Sequence, residues 1–310
     1  MSECMRAVAI GGGTGLPLVL GCLRASGLDV TALVTVADDG GSSGLLRREL
    51  GILPPGDIRN CLVALAAPDS ELARVFQYRF RSGTGLQGHA LGNLIIAALA
   101  DMKGDFAHAI ETAAELLGAQ GRVLPSTLSD VVLSAEDVEG GVVTGQVNVA
   151  SSAAPVHRVL MQPSSPPAYP PALEAVLSAD LVVIGPGSLY TSVIPNLLVE
   201  GMREALCACP GRVVYVCNVA DQRGETTGMN AFDHVRALYD HGLKRIDVVV
   251  VHDTDAAPLP KDAPAVDAGA DVRERIAGLG AHVVAADVVD TANPMHHDPR
   301  RLCAVLREIE

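Results

Sequence analysis

The sequence predicts an α/β fold in which a doubly wound parallel β-sheet is buried between two layers of helices. Short apolar runs alternate with longer helical stretches, a pattern typical of parallel strands joined by crossover helices. The chain has 310 residues, of which 49% are hydrophobic but only 3% aromatic, and Trp is absent. Such a core of Ala, Val, Leu and Ile suits a parallel sheet, and the low charged fraction indicates a folded chain.

The elements of this sheet are predicted in chain order. A first strand over 7–10 leads through a glycine turn into a helix over 15–25, and a second strand covers 30–36. Helices separate the later strands, so we expect one domain over 1–310. The later strands are predicted over 181–184, 213–216, 246–251 and 282–284.

The segment of about 122–165 departs from this alternation. A Gly-Gly pair at 140–141 separates two of its short valine-rich runs, which predicts a small antiparallel insertion in the α/β domain. Two loops are expected from their Pro content, over 164–171 and 255–267. The apolar runs of the insertion cover 131–133, 142–143 and 147–149.

Charge and hydropathy narrow the class of partner. The formal net charge of −13 argues against binding of nucleic acid or an anionic membrane surface. No apolar run reaches about 18 residues, so no membrane span is expected, and residues 1–6 lead directly into a strand rather than a signal peptide. The seven scattered cysteines are expected to be reduced thiols, which predicts a cytoplasmic protein.

The first candidate binding motif is the glycine loop between the first strand and the first helix. Its candidate binding residues are Gly12, Gly13, Thr14, Gly15 and Leu16. The loop would let a phosphate approach the N–H groups and positive dipole end of the helix. A tight strand-to-helix turn is the alternative. The motif is not a Walker A loop, and Leu16 stands where a dinucleotide fingerprint has Gly.

The second motif follows the second strand, where ligands bind in such sheets. Asp38 and Asp39 stand before a Gly- and Ser-rich turn. Adjacent carboxylates suit Mg²⁺, held through water, or sugar hydroxyl groups. An Asx-type turn is the alternative, and no metal ligand is assigned firmly.

Two further motifs open helices. Asp57 is predicted as an N-cap, whereas Arg59 and Asn60 suit either a structural role or contact with a phosphorylated ligand. Asn93, on the first turn of a later helix, is a candidate ligand contact, whereas His89 before it is expected to be structural.

A second glycine- and hydroxyl-rich loop follows the central strand at 181–184. Gly187, Ser188, Tyr190, Thr191 and Asn196 belong to it, and a helix is expected near 195. Such a loop suits a phosphate or a sugar. Its spacing is not that of a Gly-x-Ser-x-Gly nucleophile elbow, so a nucleophilic Ser is not expected.

Other polar groups lie on the same predicted rim. Asn218 ends a strand and the polar segment 221–226 follows it. The adjacent His296 and His297 diverge in direction, so 296–298 is expected to form a solvated turn that caps the last helix. No other histidine belongs to a recognisable constellation.

Taken together, these motifs resemble the YvcK-type gluconeogenesis factors of the CofD-like superfamily. The resemblance implies a Rossmann-like three-layer fold with a doubly wound parallel sheet. It also implies cytoplasmic binding of UDP-N-acetylglucosamine, with a role in cell shape and cell-wall precursor allocation during gluconeogenic growth. The motifs that carry it are GGGTGL at 11–16, VADDGGSSG at 36–44, PPGDIRN at 54–60, GHxLGN at 88–93 and GPGSLYTSxxPNLL at 185–198.

The resemblance also implies roles for individual residues. Thr14 matches a nucleotide-sugar contact, and Asp38 and Asp39 match the acidic loop near acceptor and metal in the related transferases. The second ligand loop is matched by Ser188, Tyr190, Thr191 and Asn196. Near the C-terminus the family carries Arg-His-Asp, in which the Arg aids ligand binding, followed by a Thr that can be phosphorylated. This chain has His-His-Asp-Pro at 296–299 instead, so it lacks both the Arg and the Thr at these positions.

Three hypotheses follow. The first is a regulatory protein that binds a nucleotide sugar without covalent chemistry, in which the glycine loops and the Asp57 helix hold the diphosphate. The alternative is a Mg²⁺-dependent 2-phospho-lactate transferase of the CofD type, with Asp38 and Asp39 organising metal and acceptor and Arg59 stabilising phosphate charge. A NAD-dependent dehydrogenase is the third and weakest. The first hypothesis requires no cofactor. The sequence leaves three properties undecided: which nucleotide base is bound, whether the protein forms a homodimer, and whether it has regulatory protein partners.

Overall fold

A sheet of seven parallel strands forms the centre of the protein, in the order β10-β9-β8-β7-β1-β2-β3. The computed structural model describes residues 4–152, 154–255, 257 and 265–309. The predicted doubly wound α/β fold is confirmed. The strands of this sheet are β1 Arg6–Gly11, β2 Asp29–Val34, β3 Arg122–Pro125, β7 Leu181–Ile184, β8 Arg212–Val216, β9 Val248–His252 and β10 His282–Ala286.

Helices cover both faces of the sheet because alternate strand residues point to opposite sides. In β1, Val8 and Ile10 join one apolar cluster, while Ala7 and Ala9 join the other. The helices are α1 Gly15–Ala25, α2 Gly41–Leu50, α3 Gly56–Leu65, α4 Glu71–Gln77, α5 Leu91–Lys103, α6 Phe106–Leu117, α7 Gln146–Ala150, α8 Pro170–Leu177, α9 Ile194–Leu197, α10 Met202–Ala208, α11 Ala231–Asp240, α12 Ala270–Ala277 and α13 Pro299–Ile309. A π-helical turn, Leu189–Val193, precedes α9.

The strand order reverses between β1 and β7. Strand β7 is buried along its whole length, and β1 is buried after its first residue. The two strands pair in parallel, from Ala7 with Leu181 to Ile10 with Ile184. From β1 the chain proceeds to β2 and β3 on one side, and from β7 it proceeds to β8, β9 and β10 on the other. The loops that leave β1 and β7 therefore diverge, which opens a crevice at their carboxyl ends.

A second, three-stranded antiparallel sheet has the order β5-β4-β6. Its strands are β4 Val132–Asp137, β5 Val142–Thr144 and β6 Val156–Gln162, so the predicted antiparallel insertion is confirmed, with different limits. Arg122–Pro125 instead pairs in parallel with β2 and extends the main sheet. The run 147–149 forms part of α7 rather than a strand, because Asp39 accepts hydrogen bonds at the start of that helix.

Other predicted boundaries move by a few residues. The second strand ends at Val34 rather than residue 36, and the strand expected from 246 begins at Val248. The predicted loop at 164–171 ends where α8 begins, at Pro170. Most of the loop predicted at 255–267 lies outside the described residues.

The expectation that every cysteine is a reduced thiol is wrong for one pair. Helices α1 and α13 pack against each other, and Cys22 and Cys303 form a disulfide between them with a Cα–Cα distance of 5.1 Å. Cys4 and Cys207 are exposed free thiols, and the remaining free thiols are buried. Within the described ranges, no helix is both long and apolar enough to cross a membrane.

Candidate functional site

A cavity of about 410 Å³ lies where the strand order reverses. Its walls come from the loops after β1, β2, β7 and β8, with further residues from α3, α7 and the segment before α13. This is the position at which doubly wound sheets bind ligands. The lining residues are Gly13, Thr14, Gly15, Leu18, Thr35, Asp38, Asp57, Gln146, Pro186, Gly187, Ser188, Thr191, Ser192, Asn218, Val219, Ala220, Gln222, Met295, His296 and His297.

The first glycine loop packs closely against the second. A Cβ atom on Gly15 would lie 2.3 Å from the carbonyl oxygen of Pro186, so only glycine allows this approach. Gly13 has a φ of +67°, which also favours glycine. Thr14 is the N-cap of α1 and its side chain makes no capping bond, so its hydroxyl is free to contact a ligand at the helix N-terminus.

Gly12 and Leu16, two other predicted binding residues, are not among the lining residues. A Cβ on Gly12 would lie 2.8 Å from the Asp57 carboxylate and 2.9 Å from Thr35. Gly12 therefore lets the loop approach Asp57. Leu16 is fully buried in the core.

Asp57 lies beneath the first glycine loop. It is the second residue of α3, whose N-cap is Pro55, so the prediction that Asp57 is the N-cap is wrong. Its Oδ2 instead accepts the Gly13 N–H at 2.8 Å. Burial raises its pKa to about 6; the Gly13 N–H opposes this rise, the nearby Asp38 adds to it, and Arg59 lowers it. The carboxyl is thus mostly ionised at neutral pH but costly to keep so.

The two predicted acidic residues after β2 point in different directions. Asp38 lines the cavity, and its Oδ1 accepts the Gly40 N–H. Asp39 turns away and accepts the N–H groups of Gln146 and Val147 at 2.9 and 3.0 Å. The two carboxylates at the cavity are therefore those of Asp38 and Asp57.

The second glycine loop is fixed by residues that follow β8. The Asn218 side chain accepts the Gly187 N–H at 3.2 Å and donates to the Gly187 carbonyl at 2.9 Å. The Gln222 amide donates to the Ser188 hydroxyl at 3.0 Å. Asn218 and Gln222 also line the cavity, so the predicted rim after β8 forms part of its wall.

Glu225 is a buried residue that the sequence did not single out within its polar segment. Its carboxylate accepts the Tyr190 N–H at 3.2 Å and the Thr191 hydroxyl at 2.6 Å. Burial raises its pKa despite these bonds. Because Thr191 lines the cavity, Glu225 positions that part of the loop. A Glu in a glycine-containing loop gives no sequence signal for this role.

Tyr190 and Asn196 support the same loop from behind. Tyr190 is buried, its ring packs edge-on against His241, and burial raises its pKa to about 12. The Asn196 amide donates to the Ser192 carbonyl at 2.9 Å and to the Gly11 carbonyl at 3.3 Å. Neither residue is among those that line the cavity.

Arg59, Asn60 and Asn93 form a polar network apart from the cavity lining. Arg59 donates to Asn93 at 2.9 Å and to Asn60 at 2.6 Å. Asn93 donates to the Ser42 hydroxyl, which bonds the ring of His89 at 3.0 Å. His89 is buried and bonded, as expected for a structural histidine. Among the described residues that line the cavity there is no Lys or Arg.

The segment before α13 closes another side of the cavity. Asp298 accepts the N–H groups of Arg300 and Arg301, so the predicted capping turn is confirmed. His297, by contrast, is buried rather than solvated, and its Nε2 bonds the Cys217 carbonyl at 3.1 Å. Burial lowers its pKa to about 4, so the ring is neutral at physiological pH and Nε2 donates this bond.

A metal site complete in protein ligands is absent from the described part of the chain, which contains no cluster of three or more His, Cys, Asp or Glu side chains suited to a metal ion. Asp38 and Asp57 offer two carboxylates in one cavity. This donor set fits Mg²⁺, which commonly takes one or two carboxylates and completes its shell with water and substrate phosphates.

Comparison with known proteins decides the family. The family model described as "2-phospho-L-lactate transferase CofD" matches residues 7–289. The chain belongs to the CofD family. The expected resemblance to gluconeogenesis factors is also confirmed by relatives of that name. The gluconeogenesis factor of Bacillus subtilis (strain 168) is 40% identical over 314 aligned residues, which cover 100% of this chain and 99% of the relative.

Two further relatives agree with this assignment. The gluconeogenesis factor of Halalkalibacterium halodurans is 47% identical over 246 residues, or 79% of this chain and 76% of the relative. A crystal structure of a UPF0052 family member from Bacillus halodurans superposes with a TM-score of 0.92 at 38% identity. That alignment covers 99% of this chain and 100% of the other, so this member of the CofD family shares its whole fold with that relative.

Proposed function

We propose that this protein binds UDP-N-acetylglucosamine and acts as a regulatory protein required for cell shape and cell-wall precursor allocation during gluconeogenic growth. The observation that carries the proposal is the cavity between the two glycine loops at the N-terminus of α1. A helix N-terminus with free N–H groups favours a diphosphate. The relatives named gluconeogenesis factor supply the physiological context.

The lining residues suit the parts of a nucleotide sugar. Thr14, Ser188 and Ser192 offer hydroxyl groups to the diphosphate, and Asp38 and Gln146 offer acceptors to sugar or ribose hydroxyls. The apolar side chains of the lining suit a planar base. This apolar group comprises Leu18, Val219, Ala220 and Met295.

Binding without covalent chemistry agrees with how the lining groups are bonded. The Ser188 hydroxyl is bonded to Gln222, and the Nε2 of His297 is occupied by a backbone carbonyl. Neither forms a nucleophile–base pair with the other. The proposal therefore assigns ligand binding, not turnover, to this cavity.

A bound Mg²⁺ ion would compensate for the charge of the cavity. A diphosphate brings negative charge to a site that already holds Asp38 and Asp57, and like charges repel strongly at short range. In the proposal these two carboxylates would hold the ion, whose positive charge would offset the repulsion between them and the diphosphate. Mg²⁺ then strengthens binding without being obligatory.

A second candidate is a Mg²⁺-dependent transferase that moves a phospholactyl group from a nucleotide diphosphate donor. The close pair Asp38 and Asp57 beside the phosphate-binding loop favours it, as does the description of the matching family model. In this candidate Asp57, whose pKa is about 6, accepts the proton of the acceptor alcohol. Asp39 and Arg59 are bonded elsewhere, so they contribute indirectly.

Isothermal titration with UDP-N-acetylglucosamine and with GDP, each with and without Mg²⁺, tests the proposal. We expect saturable binding of the UDP-sugar and weak binding of GDP. Thr14→Ala should raise the Kd about fivefold, the effect of one neutral hydrogen bond. Thr112→Ala is the matched control, because the Thr112 hydroxyl bonds a carbonyl of its own helix, α6, outside the cavity lining.

Two outcomes would decide against the proposal. Preference for GDP with a strict Mg²⁺ requirement would favour the transferase, and release of GMP from a lactyl-diphosphoguanosine donor, with transfer of the phospholactyl group to a deazaflavin alcohol, would then establish it. Equal loss of affinity in both Thr variants would show that Thr14 makes no specific contact.

In cells, wild-type protein but not Thr14→Ala should restore cell width to a deletion strain on gluconeogenic carbon.

A further inference from the structure

The disulfide between Cys22 and Cys303 joins two elements that both lead to the cavity. Cys22 lies on α1, whose N-terminus begins at the first glycine loop, and Cys303 lies on α13. Helix α13 starts at Pro299, directly after the segment 295–297 that lines the cavity. The Cys22 sulfur lies 3.7 Å from the Pro299 carbonyl oxygen, so the link is adjacent to the start of α13.

The covalent link holds the C-terminal helix to the rest of the fold. The two cysteines lie 281 positions apart along the chain, so the bond closes a very long loop. Apart from this bond, α13 is held by the packing of its apolar face (Leu302, Val305, Leu306 and Ile309) on the α1 side of the sheet. Polar contacts also join it to the fold: Arg301 pairs with Asp287, Arg212 donates to the Ile309 carbonyl, and Arg307 donates to the Ser26 hydroxyl. A helix at the end of the fold nevertheless opens more readily than a central strand.

The two sulfurs differ in access to solvent. Cys22 is 3% exposed, whereas Cys303 is only partly buried and lies at the edge of the apolar cluster. An external thiolate therefore reaches Cys303 first. Thiol–disulfide exchange requires this access, in addition to a suitable leaving thiolate.

We propose that Cys22 and Cys303 form a redox-responsive modification site that controls the cavity: the disulfide keeps the wall at 295–297 in place, and its reduction loosens α13 and weakens ligand binding. Residues outside the binding site thereby set its affinity. The effect on affinity rests on the function proposed above, whereas the effect on the order of α13 does not.

The chemical step balances with a dithiol as the reductant. One thiolate attacks the Cys303 sulfur, the bond between the two protein sulfurs breaks, and Cys22 leaves as a thiolate. The second thiolate of the reductant then attacks the mixed disulfide and releases Cys303. The dithiol is oxidised to its disulfide by loss of two electrons, and both protein thiolates take up protons. The disulfide of a small thiol, such as oxidised glutathione, reverses the reaction.

The experiment compares oxidised and dithiothreitol-reduced protein by three measurements. Titration of thiols after denaturation should find five in the oxidised chain and seven in the reduced chain. Hydrogen–deuterium exchange in 295–309 should become faster on reduction. The Kd for UDP-N-acetylglucosamine should rise about tenfold, within the usual range for coupling between two sites.

Two variants separate the effect of this bond from a general effect of the reductant. Cys303→Ser should match the reduced protein in affinity and exchange, and it should not respond to dithiothreitol. Cys207→Ser, at an exposed free thiol, should behave like wild type. Cys303 is partly exposed, so its replacement by Ser avoids the burial of a new polar group that Cys22→Ser would create.

The remaining outcomes count against the inference or against the proposed function. Seven thiols after treatment with oxidised glutathione would show that the bond does not form. Unchanged exchange in 295–309 despite a changed thiol count would show that the bond does not control α13. If neither form binds the UDP-sugar, the proposed function fails, and the exchange measurement alone decides whether the disulfide orders the cavity wall. If α13 does respond but a binding-competent protein keeps the same Kd, the control of affinity is refuted.

Discussion

Replacing Asp57 by Asn should stabilise the protein at neutral pH while impairing its response to Mg²⁺. In the folded protein the carboxyl lies under the glycine loop beside Asp38, and its pKa rises from an ordinary 3.8 to about 6. A raised pKa means that the folded state binds the proton more tightly than the unfolded chain. The contribution of Asp57 to stability is therefore fully present below pH 3.8 and is lost as the pH rises through 6.

The size of the effect follows from the shift in pKa. A tenfold change in proton affinity is worth about 1.4 kcal/mol, so the ionised Asp57 costs about 3 kcal/mol at pH 7 as an upper value. Asn removes the charge and keeps an oxygen that can accept the Gly13 N–H. Because the group is partly exposed and the new amide N–H₂ needs partners, we expect a gain of about 1–2 kcal/mol.

Chemical denaturation of wild type and Asp57→Asn at pH 7.5 and at pH 3.5, in matched buffers, measures this gain. The variant should be more stable at pH 7.5, and the difference should largely disappear at pH 3.5, where the wild-type carboxyl is mostly protonated in both states. In titrations with the UDP-sugar, Mg²⁺ should strengthen binding to wild type more than to the variant. Asp57→Asn would thus separate stability from ligand binding.

Asp39→Asn is the matched control because Asp39 belongs to the neighbouring acidic loop but not to the cavity lining. Its carboxylate accepts two backbone N–H groups at the start of α7. Its replacement should lower stability by about 0.5–2 kcal/mol, the range for helix-capping side chains. A variant of Asp57 that is less stable than wild type at pH 7.5, or a difference that persists at pH 3.5, would refute the assigned electrostatic cost.

Three other perturbations have defined outcomes. Gly15→Ala should lower stability by about 2 kcal/mol or more and abolish ligand binding, since the new Cβ would clash with Pro186. Gly21→Ala is the control, because a Cβ at Gly21 would have no atom within 4 Å. In thermal melts it should be neutral or stabilising. His297→Gln should make the protein less sensitive to acid. Because the pKa of His297 is about 4, its neutral ring contributes up to about 3 kcal/mol to the free energy of unfolding above pH 6.5, and this contribution is lost as the pH falls towards 4. The free energy of unfolding, measured by denaturation across this pH range, should therefore vary less in the variant. Glu225→Gln should weaken UDP-sugar binding about fivefold, because one charge-assisted hydrogen bond to the loop becomes a weaker neutral one. Glu225→Ala should weaken binding further. Equal affinities of wild type and both variants would refute the positioning role of Glu225.

Much of the architecture was predictable because it depends on periodicity and composition. The alternation of apolar strands and helices predicted the parallel sheet, and the Gly-Gly pair at 140–141 predicted the hairpin of the small sheet. The errors have local causes. The run 147–149 has a strand-like composition, but the distant Asp39 stabilises the start of a helix there, and no pattern within the run reports that contact.

The candidate site was predictable to the extent that it consists of loops at the ends of strands. Thr14, Asp38 and Ser188 were predicted from their places after β1, β2 and β7, and those three strands are neighbours in the sheet. Predictions failed where a side chain's direction depends on tertiary packing. Asp39 differs from Asp38 by one position, and adjacent side chains outside a helix commonly diverge, so only the structure shows which of them faces the cavity.

The case of Asp57 shows what a local pattern cannot contain. Pro-Pro-Gly-Asp before a helical run is a good capping signal, and an acid in the first turn is favourable for that helix wherever it points. The decisive contact is with Gly13, 44 residues away, because α3 begins below the loop that follows β1. A carboxylate at the N-cap would stabilise its helix at little electrostatic cost. The Asp57 carboxylate is instead buried beside Asp38, so keeping it ionised costs free energy. Such a cost beneath the first glycine loop is more easily explained by a ligand, with its cation, than by the needs of the fold.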